Sequence, residues 1–450
     1  MKQLLSMFVL WPLMVNAIDG TLDTSFNSSS SQPGVVTTTD EGLITGSALA
    51  IQDDAKIVIA GTATSGINTK FALARYTSSG TLDTSFNSSG IQTTTINTSS
   101  NAYSCVIQPD GKIIIAGRSR IQTGSYHFTI ARYTSTGVLD TTFNGTGITT
   151  VPSDVLSSTM ISSIALQQDN KIVAAGSLGG HITVARYLSN GSLDTTGFGG
   201  GQGYVQTNLG ADSTAQSIVL QSDGKIVVGG YVSTGFLSYD IVIARYTNTG
   251  VLDTSFNGTG VTTTHISSAN QVYGISMQED GKIVAVGKSN TSFCVLRYQT
   301  DGTLDTSFNG TGFTTELLNN AAIAYATTIQ SNGKILVAGG SSTGVTNYYL
   351  ILARYLDNGT LDPSFNNIGI TTTHINAGST LARSMALRSN GKIVVAGGTN
   401  MFMAAQYLTM PVTPLSVLSV QLLAKECSLQ IPYYSQLSAT LIIKDCQTPS

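Results

Sequence analysis

Arginine and aspartate recur eight residues apart in six places: Arg75 and Asp83, Arg132 and Asp140, Arg186 and Asp194, Arg245 and Asp253, Arg297 and Asp305, and Arg354 and Asp362. A guanidinium and a carboxylate at fixed spacing could make a repeated ligand site. They could equally form a partly buried ion pair that pins a connection, with the carboxylate also capping turn amides. The second reading is preferred, and a seventh copy supports it: there Gln406 replaces the arginine and no aspartate motif follows. An unpaired buried guanidinium would be costly, so an uncharged amide suits that place.

Other constellations are weaker. Asp253, Ser255 and Asn257 alternate like a calcium loop, but calcium favours several carboxylates and each copy offers one. Asn144, Asn190, Asn257, Asn309 and Asn358 head Asn-Gly-Thr or Asn-Gly-Ser triplets. These match the glycosylation acceptor pattern but read more simply as turn residues. His127 and His181 share one repeat position, and His265 and His374 another, so the four histidines point to inheritance and not to a metal site. No nucleophile elbow, metalloprotease helix, phosphate loop or paired catalytic carboxylate is present. No cofactor and no metal are expected, and nothing gives a positive reason to name an enzyme.

The elements that hold these residues come from a repeat. The lysine of an Asp-Gly-Lys-Ile motif falls at 56, 112, 171, 225, 282, 334 and 392, and a Leu-Asp-Thr-Ser-Phe motif places aspartate at 23, 83, 140, 194, 253, 305 and 362. Each repeat reads as four strands. In the second they are Ile91 to Ile96, Ala102 to Gln108, Lys112 to Gly117 and Phe128 to Tyr133, rich in β-branched and aromatic residues. The Asp-Gly step predicts a two-residue type I′ turn, with positive φ at both central residues. The fold class expected is all-β: a seven-bladed β-propeller of four-stranded antiparallel blades over residues 18–408. Residues 18–33 open on Leu22-Asp23-Thr24-Ser25-Phe26 with no preceding Arg-Tyr strand, and the last strand, Met401 to Leu408, has no following Leu-Asp loop. In a ring the first can complete the last, where an open array would leave raw edges.

The succession Asp-Gly-Lys-Ile, Ala-Arg-Tyr and Gly-Thr-Leu-Asp-Thr-Ser-Phe-Asn over roughly residues 19–408 resembles the delta-60 repeat family. That resemblance implies a propeller-like array of the kind found mainly in bacterial exported and surface proteins. It implies no shared catalytic residues.

Residues 1–17 read as a signal peptide: Lys2, an apolar run from Leu4 to Val15, and a small-residue cleavage pattern at Val15-Asn16-Ala17. The expected location is secreted, periplasmic or cell-surface, as a monomer without a transmembrane span. A net charge of −3 offers no basic footprint for nucleic acid. Cys105 and Cys294 suit buried apolar positions, whereas Cys427 and Cys446 could close a disulfide in the tail, residues 409–450. Leu415 to Val420 and Leu441 to Ile443 suggest two short strands there.

Strand order puts the Asp-Gly-Lys turns and Leu-Asp loops on one face and the remaining connections on the other. Lysine and arginine (or Gln406) lie 19 or 20 residues apart in blades one, two, four and six but 14 or 15 in the others. The second face therefore carries longer, variable loops. Its candidate ligand-binding residues are Arg118, Arg120, Tyr126, Tyr231, Phe236, Tyr239, Asp240, Tyr348 and Tyr349, since function concentrates on loops held by a rigid scaffold. A binding or adhesion module for an extracellular protein or glycan is the first expectation. A purely structural surface protein comes second, and a polysaccharide hydrolase or lyase, which would need carboxylates converging at a central channel, third.

Overall fold

Each motif lysine follows a tight hairpin, and the hairpin differs from the one expected. The Gly111 N–H donates to the Gln108 carbonyl and the Gln108 N–H to the Lys112 carbonyl, each at 2.8 Å. Three residues form the loop, and only its last has positive φ: Gly111 at 80°, with Ala55 and Asn170 both at 63° in their own blades. This is a three-residue loop closed by a left-handed residue. The aspartate stays out of the left-handed region because its carboxylate accepts the lysine N–H, as from Lys112 to Asp110 at 3.2 Å.

The computed structural model describes residues 18–39, 42–121, 124–151, 159–342, 344, 348–375, 380–409, 419–421 and 428–430. Residues 18–409 contain seven four-stranded antiparallel sheets. Blade one runs, from the inside out, Leu43–Ile51, Ile57–Ser65, Asn68–Tyr76 and Ile91–Thr94. The Thr-rich strand thus closes the preceding blade and does not open the next, which shifts the expected blade boundaries by one strand. The reason is local. Asp83 N–H donates to the Arg75 carbonyl and Arg75 N–H to the Gly90 carbonyl, so the Leu-Asp loop folds Ile91 back against Ala74. Helix is nearly absent among the described residues, with a 3-10 turn at Gly199–Gly201. In the separate tail unit Ser419–Gln421 pairs antiparallel with Ser428–Gln430. Leu441 to Ile443, Cys427, Cys446 and the leader 1–17 lie outside the described residues.

Neighbouring blades share one joint, repeated around the ring. Phe86 seats its ring where a side chain on Gly137 of the next blade would be, and Phe143, Phe198, Phe256, Phe308 and Phe365 do the same at Gly191, Gly250, Gly302, Gly359 and Gly20. The seventh joint is Phe26 against Gly80, so blade seven meets blade one by the same contact. These phenylalanines are 0–1% exposed. Glycine is required at this place, because any side chain would occupy the ring's volume and φ there is near +90°.

Closure is made by the N-terminal segment. Val35–Thr38 pairs with Phe402 to Ala405 as the outermost strand of blade seven, and Leu22 bridges Tyr407. Asp23 enters the site facing Gln406, which corrects the reading that no aspartate serves that copy. The Gln406 amide donates to Asp23 at 2.6 Å, and Lys392 pairs with the same carboxylate oxygen at 2.7 Å.

The missing guanidinium stands elsewhere in the same blade. Six blades carry glutamine four residues before the motif lysine (Gln52, Gln108, Gln167, Gln221, Gln278, Gln330), and the seventh carries Arg388. Arg388 lies 5.8 Å from the Phe26 ring centroid, where the other blades place their Ala-Arg-Tyr arginine over the equivalent phenylalanine at 4.6–5.0 Å. Arginine and glutamine have exchanged places, and the charge of the joint is conserved. Arg388→Gln and Gln406→Arg are each expected to lower stability by about 1 kcal/mol, while the double variant loses at least about 0.5 kcal/mol less than the sum. Urea unfolding measures this, and strictly additive losses would show that the two positions act independently.

Candidate functional site

The Arg-Asp pairs are built into the frame. In all six, arginine Nε donates to the aspartate Oδ2 at 2.7–2.9 Å. The other oxygen accepts a Ser or Thr hydroxyl two residues on, as at Asp253 from Ser255. The guanidinium then reaches the turn of the next blade: Arg132 to the Ser189 carbonyl at 2.7 Å, Arg297 to the Asp357 carbonyl at 2.6 Å, and Arg354 to Asp19 at 2.6 Å. Burial raises the carboxyl pKa, but hydrogen bonds and cations outweigh it and hold Asp23, Asp140, Asp305 and Asp362 at about 2. Both Asp253 oxygens and the Ser255 hydroxyl are engaged by Arg245, Lys225 and each other, and the Asn257 amide donates to the Val261 carbonyl, so these residues serve the joint. Cys105 and Cys294 are buried, and burial pushes both thiols up to about 12, which makes them poor nucleophiles.

A site that varies from blade to blade lies at the centre. Every innermost strand carries a β-bulge, and the residues it skips are Ser47, Tyr103, Ser162, Gln216, Tyr273, Tyr325 and Arg383. A bulge re-aims a side chain out of the ladder. All seven line one central cavity of about 760 Å³. The backbone that permits this is marked by glycine five residues after each motif lysine: Gly61, Gly117, Gly176, Gly230, Gly287, Gly339 and Gly397. A Cβ at any of them would sit within 2.0 Å of a carbonyl oxygen on the bulged strand.

The cavity wall mixes aromatic and hydroxyl groups, with Tyr103 in blade two between the blades of Ser47 and Ser162, and Tyr273 and Tyr325 in blades five and six. Tyr273 and Tyr325 pack at 5.2 Å, with Arg383 over Tyr325 at 5.4 Å. Arg118 lies 5.7 Å from the Tyr103 ring centroid and 4.1 Å from that of Tyr126, and Arg120 covers the same Tyr126 ring at 5.0 Å. Burial raises the pKa of Tyr103, Tyr273 and Tyr325, so their hydroxyls stay protonated as donors. Burial lowers that of the half-buried Lys288, which occupies the place in blade five that Arg118 takes in blade two. Ser47, Ser162, Ser163, Thr45, Thr327 and Gln216 supply hydroxyls and an amide. Among the described residues, no Asp or Glu lines the cavity.

The residues expected from loop length divide into two groups. Arg118, Arg120 and Tyr126 join the channel cluster. Tyr231 hydrogen-bonds Gln216 and meets Tyr239 edge-on at 5.3 Å, and Tyr348 lies close enough to act on the Tyr325 hydroxyl. The others stand apart: Phe236 is 96% exposed at a hairpin tip, Asp240 bonds His265 at 2.7 Å, and Tyr349 packs on His374 at 5.4 Å. Sequence reasoning missed Tyr103, Tyr273, Tyr325 and Arg383. Their signal is positional, nine residues before the motif lysine in each copy, beside a mid-strand glycine that indicates a bulge.

The profile of a domain of unknown function (DUF5122), a beta-propeller, matches residues 52–86, 108–143, 167–196, 221–256, 278–308 and 330–365. No curated protein matches the chain. Among solved structures, virginiamycin B lyase from Staphylococcus aureus is similar at 14% identity and a TM-score of 0.48, over 83% of this chain and 98% of that one. YCF48 bound to a D1 peptide follows at 11% and 0.47, over 89% and 100%, and Sqt1 from Chaetomium thermophilum at 11% and 0.46, over 83% and 97%.

Proposed function

We propose, for a ring whose repeats match a beta-propeller family of unknown function, that the protein is an exported binding module. Its variable face captures an extracellular protein or glycan at the central channel. One observation carries this reading: seven bulges, held by seven glycines, aim seven side chains of four types (Ser, Tyr, Gln and Arg) into one cavity. The frame repeats while the lining does not, as expected where structure and recognition are separated. The described lining is hydroxyl, amide, aromatic and guanidinium groups, which suit recognition of a polar ligand. The test is a glycan and extracellular-protein array probed with residues 18–450 and with a Tyr273→Ser, Tyr325→Ser double variant. Capture by the parent protein and its loss in the variant are expected. Equal capture by both, or none by either, overturns the reading.

A further inference from the structure

Resting on that binding reading, we infer that the channel takes an acidic oligosaccharide, a chain of uronate sugars, with Arg383 and Arg118 as carboxylate contacts. The charge pattern is the first support. The six motif arginines are all paired with aspartate. Among the described residues, Arg118, Arg120 and Arg383 have no carboxylate within salt-bridge distance, and their Nε atoms are buried without a hydrogen-bond partner. Guanidinium groups held on aromatic faces are pre-organised to receive a carboxylate in bidentate fashion. Arg383 also lies near enough to Tyr103 to act on its hydroxyl, so the two arginine-tyrosine clusters address one space.

The rest of the wall selects the sugar over an acidic peptide. Tyr103, Tyr273 and Tyr325 offer ring surface together with hydroxyl groups, and the other lining residues add serines, threonines and Gln216. Such a wall matches a ligand with an apolar ring face and hydroxyls around its edge. Few polar groups are needed to hold the methylenes of glutamate side chains.

Three probes separate the alternatives by calorimetry: hexagalacturonate, its fully methyl-esterified and therefore neutral counterpart, and hexaglutamate. Residues 18–450 are expected to bind hexagalacturonate at least about tenfold more tightly than the ester, with affinity falling as salt rises from 50 to 200 mM. Arg383→Gln and Arg118→Gln should each weaken the acid about tenfold, as loss of a charge-assisted hydrogen bond implies, and leave the ester unchanged. Arg383→Lys, which keeps the charge on a compact head, should recover only part of the loss. Equal affinity for acid and ester, both lost in the Tyr273→Ser, Tyr325→Ser variant, would overturn the acidic ligand and leave the binding reading standing. Preference for hexaglutamate would overturn the sugar. Array capture without binding of any of the three would overturn the ligand class alone.

Discussion

A chain that starts at residue 39 instead of residue 18 loses its single cooperative melting transition and accumulates as aggregate or as a protease-sensitive species first cut in blade seven. The loss is large because residues 18–38 act at three levels. Val35–Thr38 is the outermost strand of blade seven, and without it Phe402–Tyr407 becomes a raw edge able to pair with other chains. Phe26 fills the joint with blade one, and emptying a buried phenylalanine site alone costs about 3–5 kcal/mol. Asp23 accepts from the half-buried Lys392 and from the buried Gln406 beside Arg388, and its loss leaves these donors without their acceptor, a further cost of about 1–3 kcal/mol. The comparison is a thermal melt with limited proteolysis of the two chains. A truncated protein that melts at the parent temperature as a monomer would show that the ring does not depend on this closure.

Acid dismantles the same joints in the intact protein. The carboxyls of Asp23, Asp140, Asp305 and Asp362 titrate at about 2 in the fold, against an ordinary value of 3.8. Because the folded values are the lower ones, the stabilisation is complete above about pH 4 and is lost as pH falls toward 2. Each site is worth about 2 kcal/mol, so four together approach the whole stability of a typical domain. Asp83, Asp194 and Asp253 are displaced in the same direction. Unfolding followed by circular dichroism should therefore be steep between pH 4 and pH 2, with little change between pH 5 and 7. A native spectrum and unchanged melting temperature at pH 2.5 would contradict this account.

Blade number, the closing role of the N-terminal segment and the sharing of faces were all legible in the sequence, because each depends only on the order and spacing of motifs. Turn geometry was not. An Asp-Gly pair is compatible with both the two-residue and the three-residue loop, and the choice rests on the Gln108 to Lys112 pairing. The blade boundary was misplaced because a Thr-rich strand carries no mark of which neighbour it joins. The channel was harder still. Tyr103, Tyr273 and Tyr325 share their position with Ser47, Ser162, Gln216 and Arg383, so no single residue type marks it in every copy. Arg118 and Tyr126 were found through loop length, yet their neighbour Tyr103 sits mid-strand and emerges only once the register exposes the bulge.

The exchange of Arg388 with Gln406 bears on how near-identical parts are sorted. During synthesis the segment with Asp23 appears first and meets six arginine sites before its own exists. Each of those six has its aspartate eight residues away on the same stretch of chain, at a local concentration a distant segment cannot match. Only the last blade has none of its own, and its late-made guanidinium stands where it meets the Asp23 segment together with Phe26. The altered pair thus serves as an address: it marks one place in a ring of otherwise similar sites as the one that receives the N-terminal segment.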